Sequence, residues 1–178
     1  MAVAATGVEE RLLIGGQWVE AASGARFDVT DPATGDLVGS VPDAGDTDVL
    51  AAIDAAAAAF EEWKAMPALQ RARILRRAAD LIRERRDTIA LVMTSEQGKP
   101  LAESRIEVQM AANIFEWYAE EGRRAYGRVL PQQAPGVRMT VVKEPIGPVA
   151  AFAPWNFPLG NPARKLGAAL AAGCPCIL

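Results

Sequence analysis

The stretch VAAFAPWNFPLGNPARKLGAALAAGCPCIL, residues 149–178, decides the fold. Val149 to Ala153 is a short uncharged run, the pattern of a strand buried on both faces of a parallel sheet. Pro154-Trp155-Asn156-Phe157-Pro158 follows as a loop stiffened by two fixed φ angles. Asn161-Pro162 reads as an N-cap with proline at the first helical position, and the helix it opens runs to Gly173. Cys176-Ile177-Leu178 then starts a second buried strand. Strand, loop, helix, strand is a βαβ unit, which puts the chain in the α/β class. A parallel sheet needs more strands than one such unit provides, and an apolar strand at Leu178 leaves an unpaired edge. The chain therefore reads as the N-terminal part of a longer protein.

Upstream of this unit the pattern changes. Eight of the 12 prolines fall between Pro131 and Pro175. Arg128 to Leu130 and Met139 to Lys143 read as two strands joined by the turn at Gln132 to Gly136. Four helices precede them. The first starts at Asp46 or Thr47, either of which suits an N-cap, and carries a buried stripe of Val49, Ile53, Ala56 or Ala57, Phe60 and Trp63. Pro67 opens the second, with Ala72, Leu75, Ala78 or Ala79 and Ile82 inside and Arg71, Arg73, Arg76, Arg77, Arg83, Arg85 and Arg86 outside. The third, about Asp87 to Gln97, ends at Gly98, which suits a left-handed cap. The fourth runs from Lys99-Pro100 through Ile106, Met110, Ile114 and Trp117 to about Gly122. Two hairpins come before any helix: Leu12 to Val19 around Gly15-Gly16, and Phe27–Val29 with Leu37–Val41 around Asp31-Pro32-Ala33-Thr34-Gly35. Residues 1–10 lack any pattern and are expected to be loose.

Composition narrows the chemistry. Nineteen Lys plus Arg against 22 Asp plus Glu give a net charge of −3, so no basic excess recommends nucleic acid. No apolar run approaches the ~18 residues of a membrane span, and the N-terminus lacks the pattern of a signal peptide. The absence of histidine removes His-based triads, His metal sites and imidazole bases. Cys174 and Cys176 lie too close to bridge along a strand, which suits a reduced, cytoplasmic compartment. As a C-x-C pair they are either core packing or, less simply, a metal pair without other ligands. The Arg-rich face of the second helix is either a solvated surface or an anionic docking strip. No G-x-G-x-x-G or P-loop pattern occurs.

The loop at 154–158 is the chemically suggestive feature. Ligands of open α/β sheets bind beyond the carboxyl ends of the strands, where this loop lies. Asn156 offers an uncharged NH₂ donor suited to a developing oxyanion, or else it caps its own turn.

These residues resemble a known family. Pro154 to Pro158, followed by Arg164-Lys165 and Gly167 to Cys174, is similar to the aldehyde dehydrogenase superfamily. Asp31 to Gly35, Ser95-Glu96-Gln97-Gly98-Lys99-Pro100, Glu116-Trp117-Tyr118-Ala119-Glu120-Glu121 and Glu144-Pro145-Ile146-Gly147-Pro148-Val149 agree in order and kind, so the likeness spans residues 12–178. It implies the N-terminal part of the aldehyde dehydrogenase fold, a Rossmann-like parallel sheet with helices plus oligomerisation strands. The divisions it implies are hairpins and helices of the cofactor-binding domain over 11–125, oligomerisation strands over 126–146, and the start of the βαβ cofactor unit over 147–178.

The resemblance also implies oxidation of an aldehyde to a carboxylate with NAD or NADP. A Cys thiolate attacks the aldehyde, hydride passes to the nicotinamide and water releases the thioester. Asn156 takes the oxyanion-hole position, and the backbone from Ala153 through Pro154 and Trp155 to Asn156 contacts the cofactor. Phe157, Asn161 and Arg164 match substrate-tunnel residues, and the strands join protomers into a homodimer or homotetramer. The nucleophile and general base correspond to positions beyond Leu178, and Cys174 and Cys176 do not match them. Arg164 matches the Arg that binds the substrate carboxylate in succinate-semialdehyde dehydrogenases. Leu159 to Ala163 departs from the small-small-Met-Ile-Thr run of that group, which leaves another polar aldehyde open. The rival readings are a non-catalytic oligomerising or binding piece, and a family-like protein without an active nucleophile.

Overall fold

A computed structural model describes residues 10–178. The expectation of a loose start falls outside the described residues, apart from Glu10. The first hairpin pairs β1 (Leu12–Ile14) with β2 (Gln17–Val19), Ile14 facing Gln17 across the Gly15-Gly16 turn. The second pairs β3 (Arg26–Thr30) with β4 (Leu37–Pro42). Its turn is closed by Asp31, whose carbonyl accepts from Gly35 N at 2.8 Å while its carboxylate accepts from Ala33 N at 2.8 Å. Both hairpins agree with the sequence.

Four helices follow: α1 (Asp46–Ala65), α2 (Ala68–Glu84), α3 (Arg86–Gln97) and α4 (Leu101–Glu121). The start of α1 corrects the expected cap. Gly45 is the N-cap, and the buried carboxylate of Asp48 accepts from Gly45 N and from Ala22 N, each at 2.9 Å. One carboxylate thus closes the helix end and ties it to the preceding hairpin. A short 3-10 turn at Gly122–Arg124 leads to β5 (Arg128–Leu130) and its antiparallel partner β6 (Met139–Val141). The chain then forms β7 (Val149–Ala150), α5 (Gly160–Ala172) and β8 (Cys176–Ile177), with β7 and β8 parallel. This is the βαβ unit read from the sequence. Val149 to Ala153 does not form one long strand buried on both faces: β7 is two residues long and Phe152 is 85% exposed, because within this chain α5 covers one face and the backbone leaves the pair at Ala151.

The core lies where α2, α4 and α5 meet, and alanine builds it. Ala72, Leu75 and Ala79 of α2, Ala111, Ala112, Phe115 and Ala119 of α4, and Ala163 and Ala171 of α5 form one buried cluster. Small side chains let the helix axes approach closely, so the contacts are dense even without large residues. The same effect corrects two predicted stripes. On α1 the buried residues are Asp48 and Ala56, while Val49 and Ile53 are exposed. On α4 the inner face is Ser104, Glu107, Val108, Ala111, Ala112, Phe115 and Ala119, whereas Ile106 and Trp117 are more than half exposed. Arg71, expected outside, is buried; its Nε donates to Ala171 O at 3.2 Å and its Nη1 to Met66 O. It meets the carbonyl end of α5, where a cation is favoured, and burial lowers its pKa from the ordinary value, a nearby Cys174 working the other way.

The junction between α3 and α4 is tightly constrained. Gly98 ends α3 in the left-handed region, φ 81°, as expected. A Cβ there would lie 2.7 Å from Pro32 Cγ in the β3–β4 turn. Gly98→Ala should therefore cost about 1–3 kcal/mol, seen as a lower denaturant midpoint with unchanged slope; an unaltered midpoint would refute the close approach.

Candidate active site

The loop from Phe152 to Phe157 projects from the carboxyl end of β7, and each of its residues is exposed. Three groups behind it hold its shape. Gln97 at the end of α3 donates from Nε2 to the Trp155 carbonyl at 3.0 Å. Lys99 Nζ donates to the Asn156 carbonyl at 3.2 Å and lies 4.7 Å from the centre of the Phe157 ring. Lys99 also forms an ion pair with Glu107 of α4. The Glu107 side chain is only 2% exposed and Lys99 13%, so this pair is removed from water. A buried carboxylate needs every lone pair engaged. Glu107 Oε1 accepts from the N–H groups of Leu159 and Gly160, each at 3.0 Å, at the first turn of α5.

The sequence read Asn161 as the N-cap, and the structure corrects this. Helix α5 begins two residues earlier, with Leu159 as its N-cap, because the Glu107 carboxylate reaches over from α4 to receive the first free N–H groups. Gly160 admits that approach: a Cβ there would meet Met110 Cε at 2.6 Å and Glu107 Oε1 at 3.6 Å. Asn161 is instead 8% exposed and turned toward the loop. Its Nδ2 donates to Asn156 Oδ1 at 3.3 Å and to Pro154 O at 3.4 Å, and its Oδ1 accepts from Arg164 Nη1 at 3.2 Å.

The candidate residues thus fall into two neighbouring surfaces. Ala153, Pro154 and Trp155 line a shallow cleft with Phe152, Pro162 and Leu178, beyond the carboxyl ends of the parallel pair β7–β8. Arg164 lies one helical turn into α5 and joins Met110, Ile114, Trp117 and Tyr118 in an apolar groove along α4. Asn156 and Asn161 connect the two. Phe157 packs at Lys99 and is not among the groove's lining residues. Lys99, Glu107 and Gln97 escaped the sequence reading of the site. Their signal was present: Glu107 sits on the same helical face as Ser104, Val108 and Ala111, an acid inside a buried stripe. Cys174 is buried, and burial pushes the Cys176 thiol up from its ordinary value, with Cys174 adding to the shift. Neither has the exposed, electropositive setting of an activated thiolate.

The chain as a whole has counterparts among known proteins. The model of the aldehyde dehydrogenase family matches residues 18–178. The chain belongs to the aldehyde dehydrogenase family. It is 49% identical over 169 residues to the succinate-semialdehyde dehydrogenase [NADP(+)] of Escherichia coli K12, covering 95% of this chain and 35% of that protein. It is likewise 49% identical over 167 residues to a 4-(hydroxymethyl)benzenesulfonate dehydrogenase of Comamonas testosteroni, covering 94% and 35%. A betaine aldehyde dehydrogenase variant of Staphylococcus aureus, solved in complex with NAD+, superposes with a TM-score of 0.94 at 32% identity, covering 99% of this chain and 36% of that one. The chain therefore spans about a third of the length of the relatives it matches, and its fold is that portion of the aldehyde dehydrogenase fold. Members of this family are in general NAD(P)-dependent, act on aldehydes and are oligomeric.

If the buried pair organises the loop, Glu107→Ala should cost about 3–5 kcal/mol, because Lys99 is left as an uncompensated buried charge. The amides of Leu159 and Gly160 should exchange with deuterium much faster. The double variant K99M/E107L should recover most of the stability but not the slow exchange. Slow exchange at both amides in Glu107→Ala would contradict the assignment.

Proposed function

We propose that this segment supplies the oxyanion donor, part of the cofactor cleft and the substrate anchor of an NAD(P)-dependent aldehyde dehydrogenase that oxidises an aldehyde with an anionic tail. Succinate semialdehyde is the foremost candidate. The observation that carries the proposal is the shared hydrogen-bonded row Asn156–Asn161–Arg164, which sets an uncharged NH₂ donor and a guanidinium on one short stretch. A guanidinium binds a carboxylate through two parallel hydrogen bonds, and the flanking groove of Met110, Ile114 and Trp117 suits a short aliphatic spacer. A sulfonate offers the same oxygens, which agrees with the name of the Comamonas relative.

The overall reaction takes RCHO, NAD(P)+ and water to RCOO−, NAD(P)H and two protons. The nucleophile is a cysteine thiolate, and since Cys174 is buried and burial disfavours the thiolate of Cys176, we assign it and the general base to parts of the protein outside these 178 residues. Attack on the carbonyl carbon moves an electron pair onto the aldehyde oxygen. The Nδ2 group of Asn156 donates to that oxygen, an interaction stronger in the transition state than in the aldehyde. Ala153 to Asn156 are exposed, and Ala153, Pro154 and Trp155 line the cleft beyond β7 and β8, a setting that fits a dinucleotide; when bound, the nicotinamide supplies the two-electron oxidation of the carbonyl carbon. Pro154 and Pro158 keep this backbone from adjusting, so its groups meet the cofactor at fixed positions.

We further read residues 11–125 and 147–178 as parts of the cofactor-binding domain and 126–146 as the oligomerisation strands. Val129 of β5 is 79% exposed, and Val142 and Ile146, which follow β6, are 68% and 88% exposed, apolar surface suited to a homodimer or homotetramer. Two unpaired cysteines suit a reduced, cytoplasmic setting.

Kinetics test the assignments. In the intact protein Asn156→Ala should lower kcat about 10²–10³-fold, and unchanged turnover would remove Asn156 from the oxyanion role. Arg164→Ala should raise KM for succinate semialdehyde about tenfold or more and leave KM for butanal nearly unchanged; equal effects on both would rule out the carboxylate anchor.

A further inference from the structure

The direction of the hydrogen bonds around Asn161 has a consequence for Asn156. A side-chain amide has one accepting and one donating end. At Asn161 the neighbours leave no choice. Arg164 is a donor without any acceptor, so the atom it contacts at 3.2 Å must be the Asn161 oxygen. The Pro154 carbonyl is an acceptor without any donor, so the atom 3.4 Å from it must be the Asn161 nitrogen. That nitrogen's second hydrogen points to Asn156 at 3.3 Å, which must therefore present its oxygen. The NH₂ of Asn156 is then the end left over. Among the described residues none of the hydrogen bonds uses it.

We propose that Asn161 is a positioning residue that fixes which end of the Asn156 amide faces the reacting carbonyl, and that the guanidinium of Arg164 sets the orientation of Asn161. The inference rests on the oxyanion reading of Asn156. A reversed Asn156 would bring two NH₂ groups face to face at Asn161 and aim a carbonyl oxygen at the developing oxyanion, opposing the reaction. Because Asn161 is 8% exposed, water does not readily replace either partner. Asn161 itself contacts protein on both ends of its amide, so its part is to aim Asn156 rather than to touch substrate.

A double-mutant cycle in the intact protein separates this from a packing role. Turnover is measured with butanal, which has no carboxylate to engage Arg164. In N161D the side chain accepts but cannot donate, so Asn156 turns its NH₂ inward and its oxygen outward. N161D should lower kcat at least tenfold, and N156A/N161D should match N156A within about threefold. N161L frees Asn156 to adopt either orientation and should lower kcat severalfold, again with no added effect in N156A; it stands in if N161D does not fold. A kcat for N161D or N161L equal to the parent while N156A is impaired, or losses that multiply in the double variant, would overturn the inference alone. An unimpaired N156A would remove the oxyanion reading and this inference with it.

Discussion

The site depends on a carboxylate that has almost no access to water. Glu107 on α4 joins Lys99, just before that helix, to the amides of Leu159 and Gly160 at the start of α5, more than fifty positions away. The net stability gained from such a pair is small, since desolvation offsets much of the attraction. Its value is geometric. Lys99 has three N–H donors, and they are directed at Glu107, the Asn156 carbonyl and the face of Phe157. With Gln97 holding the Trp155 carbonyl, two successive peptide groups of the loop are gripped from behind. The side chain of Asn156 is left to meet Asn161.

The scaffold makes that grip possible by packing alanine and glycine where helices cross. Gly160 lets α4 bring Glu107 against the α5 N-terminus, and the alanines of α2, α4 and α5 keep the helices close enough for a short side chain to span them. Gly98 turns the chain so that Gln97 and Lys99 both face the loop, with Pro32 of the second hairpin braced against it. Residues a hundred or more positions apart thus share one mechanical frame: Trp63 on α1 donates to Leu170 O and Arg71 on α2 to Ala171 O at the far end of α5.

Much of the fold was legible in the sequence because it rests on local rules. Both hairpins, the left-handed end of α3 at Gly98, the long α4 and the βαβ unit follow from turn residues and periodicity. Local rules failed where contact across elements decided the outcome. Periodicity places Ala56 correctly inside α1, but it also turns Val49 and Ile53 of α1 and Ile106 and Trp117 of α4 inward, where the structure turns them out. Asn161 has the right type and neighbour for an N-cap, yet Glu107, fifty-odd positions upstream, takes the capping role. Asn156 and Arg164 were readable through the resemblance of their surroundings. Their connection through Asn161 was not, because it depends on which amide end meets which partner in space.

The proposed assignment of this loop and its frame to an oxidising site for anionic aldehydes is testable in the intact protein. The most direct measurement is to isolate the intact protein from its source and follow reduced cofactor and carboxylate together, with succinate semialdehyde and either NAD or NADP. The account predicts one succinate formed for each NAD(P)H, at a kcat/KM well above that for butanal. Intact protein that reduces neither cofactor with any acid-tailed aldehyde would contradict it.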